Sequence, residues 1–270
     1  MNDPYDTSRN GATGMRGAST IQPAPHGAAA MISMTSLPVK LGETASLAVV
    51  IPAHNEALLL PRCLDSIGAA IRHPSLAGVH VDVIVVLDSC TDDSESIVAA
   101  YDCRVLRSAH RNVGLARAMG AAYAMGLGAQ WLSFTDADSA VPVEWLASHR
   151  RWHHAGTDVV CGTITVDDWS QRSAACMVRH EAGYQRIDGH RHVHGANLGL
   201  STAAYLAAGG FAPLRSSEDV ALLAALEAMG AVIARPGSPS VITSGRDEAR
   251  APDGFAAFLT AIEHTSGVPG

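Results

Sequence analysis

The sequence predicts an α/β fold with a mostly parallel, Rossmann-like central sheet flanked by helices. Two observations support this prediction. Short apolar runs alternate with segments of helical spacing, and polar residues directly follow each of the first four runs. Buried parallel strands have this run-like pattern. Ligands of such sheets bind beyond the carboxyl ends of the strands, so the polar residues predict one shared crevice.

The elements follow one another in alternation. The predicted strands lie at 47–51, 81–87, 103–106, 131–134 and 158–164. The predicted helices lie at 57–71, 92–100, 112–127 and 174–187. Pro52 ends the first strand, and the first helix carries Leu60, Leu64 and Ile67 at helical spacing. A last strand and loop are predicted over 241–246.

Composition and charge narrow the functional classes. The chain has 270 residues, of which 47% are hydrophobic and 17% charged, as in a globular enzyme. A formal net charge of -7 argues against a broad nucleic-acid interface. The five cysteines contain no CxxC pair, which favours a reducing compartment. With no secretory signal or bilayer-length apolar run, we expect a cytoplasmic protein, and peripheral contact with the inner face of a membrane stays open.

The fourth predicted strand is followed by Asp136-Ala137-Asp138. Two carboxylates one residue apart repel each other unless a cation lies nearby. Carboxylate oxygens suit Mg²⁺ or Mn²⁺, and such ions also take phosphate oxygens as ligands. We therefore predict that Asp136 and Asp138 bind a divalent metal. The alternative is a capping turn before Pro142.

The other strand ends have both functional and purely structural interpretations. Asn55 and Glu56 follow the first strand and also suit the first turn of a helix. Asp88 follows the second strand, and Asp92 is equally a helix cap or a ligand contact. Arg117 lies on the helix after the third strand, where an Arg is usually solvated. Four polar strand ends in succession favour the shared crevice.

Together these motifs resemble family 2 glycosyltransferases with the GT-A fold. The segments that carry the resemblance are Val49–Glu56, Asp88–Asp92, Asn112–Arg117, Asp136–Asp138 and a later Glu218-Asp219 pair. The resemblance implies a metal-dependent hexosyltransferase that uses a nucleotide-diphosphate sugar. It implies a smaller acceptor-side subregion beside the central sheet, with a nucleotide-sugar-binding half at 46–140 and an acceptor-binding half of the same domain at 141–270. Residues 1–45 are predicted to be a disordered leader.

The resemblance also implies a role for each matching residue. The residues implied to line the nucleotide pocket are Pro52, Ala53, Asn55, Glu56, Asp88, Arg117 and Asp136. Asp138 would hold the metal on the diphosphate. Asp219, with Glu218 as its partner, would be the general base of an inverting transfer, because a positioned carboxylate can take a proton from an acceptor hydroxyl. Alternatively, Ser216 or Ser217 caps this helix and both acids favour its dipole.

The acceptor is unknown and could be a small molecule, a glycan or a lipid-linked compound. The predicted acceptor contacts are His194, Gly195 and Asn197. On a strand, His190, His192 and His194 would share one face, although zinc is the less favoured explanation. We further hypothesise from position that Arg246 reaches the diphosphate and that His264 completes the metal shell.

Three rival functions are considered. A sugar-phosphate nucleotidyltransferase usually has a Gly-rich basic loop where this chain has Pro52–Glu56. A non-catalytic nucleotide-sugar-binding protein would not need Asp136, Asp138 and Asp219 together. A dinucleotide oxidoreductase is set aside because no GxGxxG follows the first strand.

Overall fold

The computed structural model describes residues 46–248 and 254–264. Its centre is a seven-stranded sheet in the order β3-β2-β1-β4-β7-β5-β8. These strands are β1 (Leu47–Ala53), β2 (Val81–Asp88), β3 (Arg104–Ser108), β4 (Trp131–Phe134), β5 (Val159–Cys161), β7 (Leu198–Ser201) and β8 (Ile233–Ala234). Only β7 runs antiparallel to its neighbours, β4 and β5. The predicted α/β fold with a mostly parallel sheet is confirmed.

Helices cover both faces of this sheet. They are α1 (Leu60–Ile71), α2 (Ser94–Val98), α3 (Val113–Gly126), α4 (Trp145–His154), α5 (Ala174–Gly183), α6 (Thr202–Ala207), α7 (Glu218–Ala228) and α8 (Phe255–His264). Alternate residues of β1 face opposite sides: Val49 packs in the cluster with α1 and α4, whereas Val50 packs with α3 and α7. None of the described helices combines the length and the hydropathy needed to cross a bilayer.

A second, two-stranded sheet pairs β6 (Ile164–Val166) with β9 (Val241–Thr243) in parallel. The sequence predicts one strand over 158–164, and this prediction is wrong because the chain divides it between the two sheets. The break falls at Gly162, where a Cβ atom would lie 2.2 Å from the side-chain nitrogen of Asn197. The small sheet thus brings β9 beside the residues that follow β4.

Two other predicted boundaries also need correction. Strand β1 continues through Pro52. Strand β4 pairs with β1 only as far as Val50, so Pro52 has no β4 partner on that side and its missing N–H is tolerated. Helix α5 ends at Gly183, and Tyr184 has extended backbone angles. No strand forms at 184–194, so the three histidines do not share a strand face. Their rings stack instead, His192 lying 5.5 Å from His190 and 6.0 Å from His194 between centroids.

Candidate functional site

A buried guanidinium joins two of the predicted acidic segments. Arg117 projects from the first turns of α3, and its side chain is almost completely buried. One Nη atom donates to Asp136 at 2.5 Å, and the other is ion-paired with Glu218 at the start of α7. The carboxyl end of β4 is thereby joined to α7, which is distant in sequence.

A second guanidinium joins two further acids. Arg246, three residues after β9, donates from Nη1 to both carboxylate oxygens of Glu56 at 2.7 and 2.8 Å. Its Nη2 lies 2.9 Å from a carboxylate oxygen of Asp138. Glu56 follows β1 and Asp138 follows β4, so the two predicted donor-site acids meet across one cation.

The crevice holds more negative than positive charge. The clustered carboxylates are Glu56, Asp136, Asp138, Glu218 and Asp219, and the guanidiniums paired within them are Arg117 and Arg246. Burial raises the pKa of Asp138, and Asp136 raises it further, while Arg246 opposes both effects. A diphosphate brought here would add to the excess, so the site favours an additional cation.

Asp219 occupies the first turn of α7, and its side chain reaches the turn just before β7. Its Oδ2 accepts the Gly195 N–H at 2.7 Å, and its Oδ1 accepts the Val220 N–H at 2.8 Å. Burial raises the pKa of Asp219 and the charge of Asp136 adds to this, although Arg117 and the two N–H donors act in the opposite direction. A carboxylate held in place with a raised pKa has the properties of a general base.

Asp88 is the last residue of β2 and organises the backbone of the loop before α3. Its carboxylate accepts the N–H groups of His110, Arg111 and Asn112 at 2.8, 3.0 and 2.7 Å. Burial alone would raise the pKa of Asp88, but these hydrogen bonds lower it. The structure therefore gives Asp88 a part in shaping the loop before α3, and its contact with a base stays a prediction.

Asn55 and Asp92 also hold loops together. The side-chain oxygen of Asn55 accepts the Thr91 N–H at 2.7 Å. Asp92 accepts the N–H groups of Ser94 and Ala57 at 3.1 and 2.9 Å. The N-cap residue of α2 is Asp93, so Asp92 joins the loops before α1 and α2 without occupying the cap position, and its contact with a ligand stays a prediction.

The loops around the crevice contain strained backbone. Asn55, Ser89, Arg111 and Ser217 all have positive φ angles, between 47° and 58°. Each follows one of the first three strands or directly precedes α7. A left-handed non-glycine residue costs on the order of 1 kcal/mol, and such residues concentrate at functional sites. No sequence pattern indicates this strain, because it arises from the packing of the loops against one another.

The predicted acceptor residues are buried. The hydroxyl of Tyr184 accepts the Ile164 N–H at 2.9 Å and is hydrogen-bonded to Nε2 of His194 at 2.8 Å. Burial lowers the pKa of His194 to about 3, and neighbouring imidazoles add to the effect, so this ring is neutral. The Asn197 side chain bonds to Thr163, Pro239 and Trp145, which indicates a structural role.

Gly195 is small for a reason that the sequence does not reveal. A Cβ atom there would lie 2.3 Å from a terminal nitrogen of Arg117, which two carboxylates hold in place. Gly195 therefore makes room for the buried guanidinium, and its N–H positions Asp219. Its predicted contact with the acceptor stays a prediction, as do those of His194 and Asn197.

The sequence profile of glycosyl transferase family 2 matches residues 48–201, more than half of the chain. The chain belongs to glycosyl transferase family 2. The matched range contains the segments after β1, β2, β3 and β4 that bound the crevice, and it ends at β7. No curated protein matches the sequence of this family 2 member.

Solved structures with the same fold are similar to this family 2 chain. Staphylococcus aureus TarS 1-349 in complex with UDP-GlcNAc has a TM-score of 0.58 at 17% identity, with 78% of this chain and 61% of that chain covered. The Pyrobaculum calidifontis mannosyltransferase PcManGT in complex with GDP-Man and Mn²⁺ has a TM-score of 0.52 at 20% identity, covering 72% and 57%. A mycobacterial protein has a TM-score of 0.56 at 18% identity, covering 81% and 71%. These likenesses establish the GT-A fold, and the chain spans about 60% of the length of the TarS 1-349 structures.

The acids of this family 2 chain are suited to a metal that takes some of its ligands from a bound substrate. Among the described residues, no three His, Cys, Asp or Glu side chains are arranged to enclose an ion. His264 is the exposed last residue of α8, and its place in a metal shell stays a hypothesis. A cation would stabilise the charged form of Asp138 most, because the pKa of this residue is raised and its surroundings are acidic.

Proposed function

We propose that this chain is an inverting glycosyltransferase that moves a hexose from a nucleotide-diphosphate sugar to an acceptor hydroxyl. The observation that carries the proposal is the meeting of five carboxylates and two guanidiniums at the carboxyl ends of β1 and β4 and the start of α7. Membership of glycosyl transferase family 2 supports the reaction class. The neighbours bound to UDP-GlcNAc and GDP-Man support the donor class.

The donor would lie along the ends of β1 and β4. Pro52, Ala53 and Asn55 would border the nucleotide, and Asp136 would face the ribose. Asp138 would hold Mg²⁺ or Mn²⁺, with the diphosphate and water as further ligands. When bound, the ion would neutralise negative charge on the departing diphosphate.

The acceptor hydroxyl would lie beside Asp219. The carboxylate of Asp219 would take the hydroxyl proton as the oxygen attacks the anomeric carbon. Arg117 would keep Asp136 and Glu218 in place, so that the base and the donor acids retain their spacing. We assign Glu218 to this support, because its side chain is buried against Arg117.

The donor site is tested by thermal denaturation with nucleoside diphosphates, with and without Mn²⁺. One base should raise Tm more with Mn²⁺ than without it, because a ligand that binds the folded state stabilises it. The variant Asp138→Asn should lose the Mn²⁺-dependent part of this shift. A shift in the variant equal to that of the wild type would remove Asp138 from the metal site.

The transfer step is tested separately with Asp219→Asn. We expect the variant to bind the donor normally and to lose transfer by about 10³-fold, as for a general base. Acceptors of the three classes, small molecules, glycans and lipid-linked compounds, would be assayed with the donor that the thermal shift identifies. Donor binding without turnover on any acceptor would favour a non-catalytic binding protein.

A further inference from the structure

The backbone of Arg246 is held in place by hydrogen bonds from another side chain. The guanidinium of Arg172, just before α5, donates to the carbonyl of Arg246 at 2.5 Å and to that of Gly245 at 3.1 Å. The same guanidinium also donates to the carbonyl of Ala256 at 3.0 Å and to the hydroxyl of Thr260 at 2.9 Å. One side chain therefore fixes both the segment that carries Arg246 and the start of α8.

The other partner, Asp138, is fixed relative to the same segment. Ala140 and Ile242 exchange two backbone hydrogen bonds of 2.7 and 3.0 Å. The hydroxyl of Ser139 donates to that of Thr243 at 3.0 Å. The residues that follow Asp138 are thus bonded to β9, which precedes Arg246, so the fold fixes the distance between Asp138 and Arg246.

We propose that Arg246 is a tethered cation of the donor site that competes with the divalent ion for Asp138, and that Arg172 is the residue that positions it. This inference rests on the proposed function, since it assumes that Asp138 is the metal ligand. In the absence of donor, the guanidinium neutralises Asp138 and Glu56. When the donor is bound, its diphosphate offers Arg246 another anion.

The two cations cannot share Asp138 without cost. A divalent ion on the Asp138 carboxylate would lie close to a guanidinium that is 2.9 Å from the same group, and like charges repel strongly at such separations. Removing the guanidinium should therefore strengthen metal binding and weaken diphosphate binding. These opposite signs separate competition from a general loss of structure, which would weaken both.

The first experiment measures Mn²⁺ alone by the electron paramagnetic resonance signal of the free ion, without nucleotide. Arg246→Met should bind Mn²⁺ about tenfold more tightly than the wild type. The same variant should bind nucleoside diphosphate without metal about tenfold more weakly. Arg246→Lys keeps the charge and should remain close to the wild type in both measurements.

The role of Arg172 is tested with a matched control. Arg172→Met should shift Mn²⁺ binding in the same direction as Arg246→Met, and the double variant should shift it no further. Arg179→Met is the control, because Arg179 also lies on the α5 segment and donates to the carbonyl of Ile262 in α8, but it does not hold residue 246. An equal effect of Arg179→Met would overturn the positioning role.

The competition is overturned if Arg246→Met binds Mn²⁺ no more tightly than the wild type, or binds none. Thermal denaturation of each variant checks that it is folded. Asp138→Asn distinguishes the two proposals. If this variant loses the Mn²⁺-dependent nucleotide shift while Arg246→Met is unchanged, the proposed function stands and only the competition fails.

Discussion

Arg117 determines how the acidic residues of the crevice are arranged. Its buried guanidinium reaches Asp136 after β4 and Glu218 at the start of α7, and it lies against Gly195. A charge buried in this way is stable only while its partners remain, because an unpaired buried charge costs about 3–5 kcal/mol. The same ion pairs hold Asp136 and α7 close together, so a buried structural contact also sets the chemistry of the site.

The raised pKa of Asp219 predicts a distinctive pH dependence. Burial is its main cause, and the folded protein therefore binds this proton more readily than the unfolded chain. Because the base must be deprotonated to act, kcat/KM should fall, as the pH is lowered, at a pH above the ordinary range of an aspartate. The measurement is a profile of initial rates from about pH 5 to about pH 9. If the residual activity of Asp219→Asn falls at the same acidic pH as that of the wild type, the ionisation belongs to another group.

The pKa of Asp88 is lowered, in contrast to that of Asp219, and this predicts a pH dependence of stability. Asp88→Asn should reduce the free energy of unfolding by about 2–3 kcal/mol at neutral pH, because three N–H groups lose a charged acceptor. The folded pKa lies below the ordinary value of 3.8. The advantage of the wild type is therefore complete above that value and disappears as the pH falls through the folded pKa. Urea unfolding of both proteins at neutral and acidic pH would measure it, and equal stability at neutral pH would contradict it.

Among the elements, α3 is positioned by its amino end. Asn112 caps the helix by accepting the Leu115 N–H at 3.0 Å, and the side-chain nitrogen of Asn112 donates to Pro213. The Gly114 N–H donates to the carbonyl of Leu214 at 3.0 Å. A loop that precedes α7 is thus docked on the helix that carries Arg117. The close approach requires a residue without a side chain.

Two alanine substitutions in α3 should therefore have opposite effects. In Gly114→Ala, the new Cβ would lie 2.1 Å from the carbonyl oxygen of Ala212, and we expect a loss of about 1–3 kcal/mol. In Gly126→Ala, nothing lies within 4 Å of the added atom, and we expect a gain of about 0.5–1 kcal/mol from helix propensity. Denaturant unfolding of both variants gives the comparison. Equal effects would mean that the 212–214 segment moves freely away from α3.

At the scale of the whole molecule, the sheet separates two apolar clusters and leaves the thiols inside or half-buried. Cys63, Cys161 and Cys176 are buried, while Cys90 and Cys103 are partly exposed. Burial raises the pKa of Cys161 to about 12 and that of Cys176 to about 11. Thiolates are the reactive form, so these groups are inert in the folded protein.

Thiol labelling should therefore report on the integrity of the fold. At about pH 7.5, a disulfide reagent should modify Cys90 and Cys103 slowly and leave the other three intact. In denaturant, all five thiols of the chain should react. Mass spectrometry of the labelled protein identifies the sites. Rapid modification of Cys63 in the native state would show that the core beneath Asp136 opens readily.

The alternation of strands and helices along the chain could be predicted because apolar periodicity is a local property. Glu56, Asp136 and Asp138 could be predicted because they follow strands whose carboxyl ends share one edge, whereas Glu218 and Asp219 open α7 and were indicated by the family resemblance. Boundaries were less accurate at Pro52 and at Gly162, where pairing with strands distant in sequence decides the conformation. The hypothesis that His190, His192 and His194 share a strand face fails because no strand forms there, and alternation alone does not show whether a partner strand is available.

The sequence by itself determined the fold class, the family motifs and the acidic character of the crevice, since each is written in neighbouring residues. Only the tertiary structure decided which charges meet. Arg117 joins Asp136 to Glu218, and Arg246 joins Asp138 to Glu56, which lies 190 positions before Arg246 in the sequence. Such pairings depend on the distance between folded elements, and the energy of a charge depends on how far water is excluded from it.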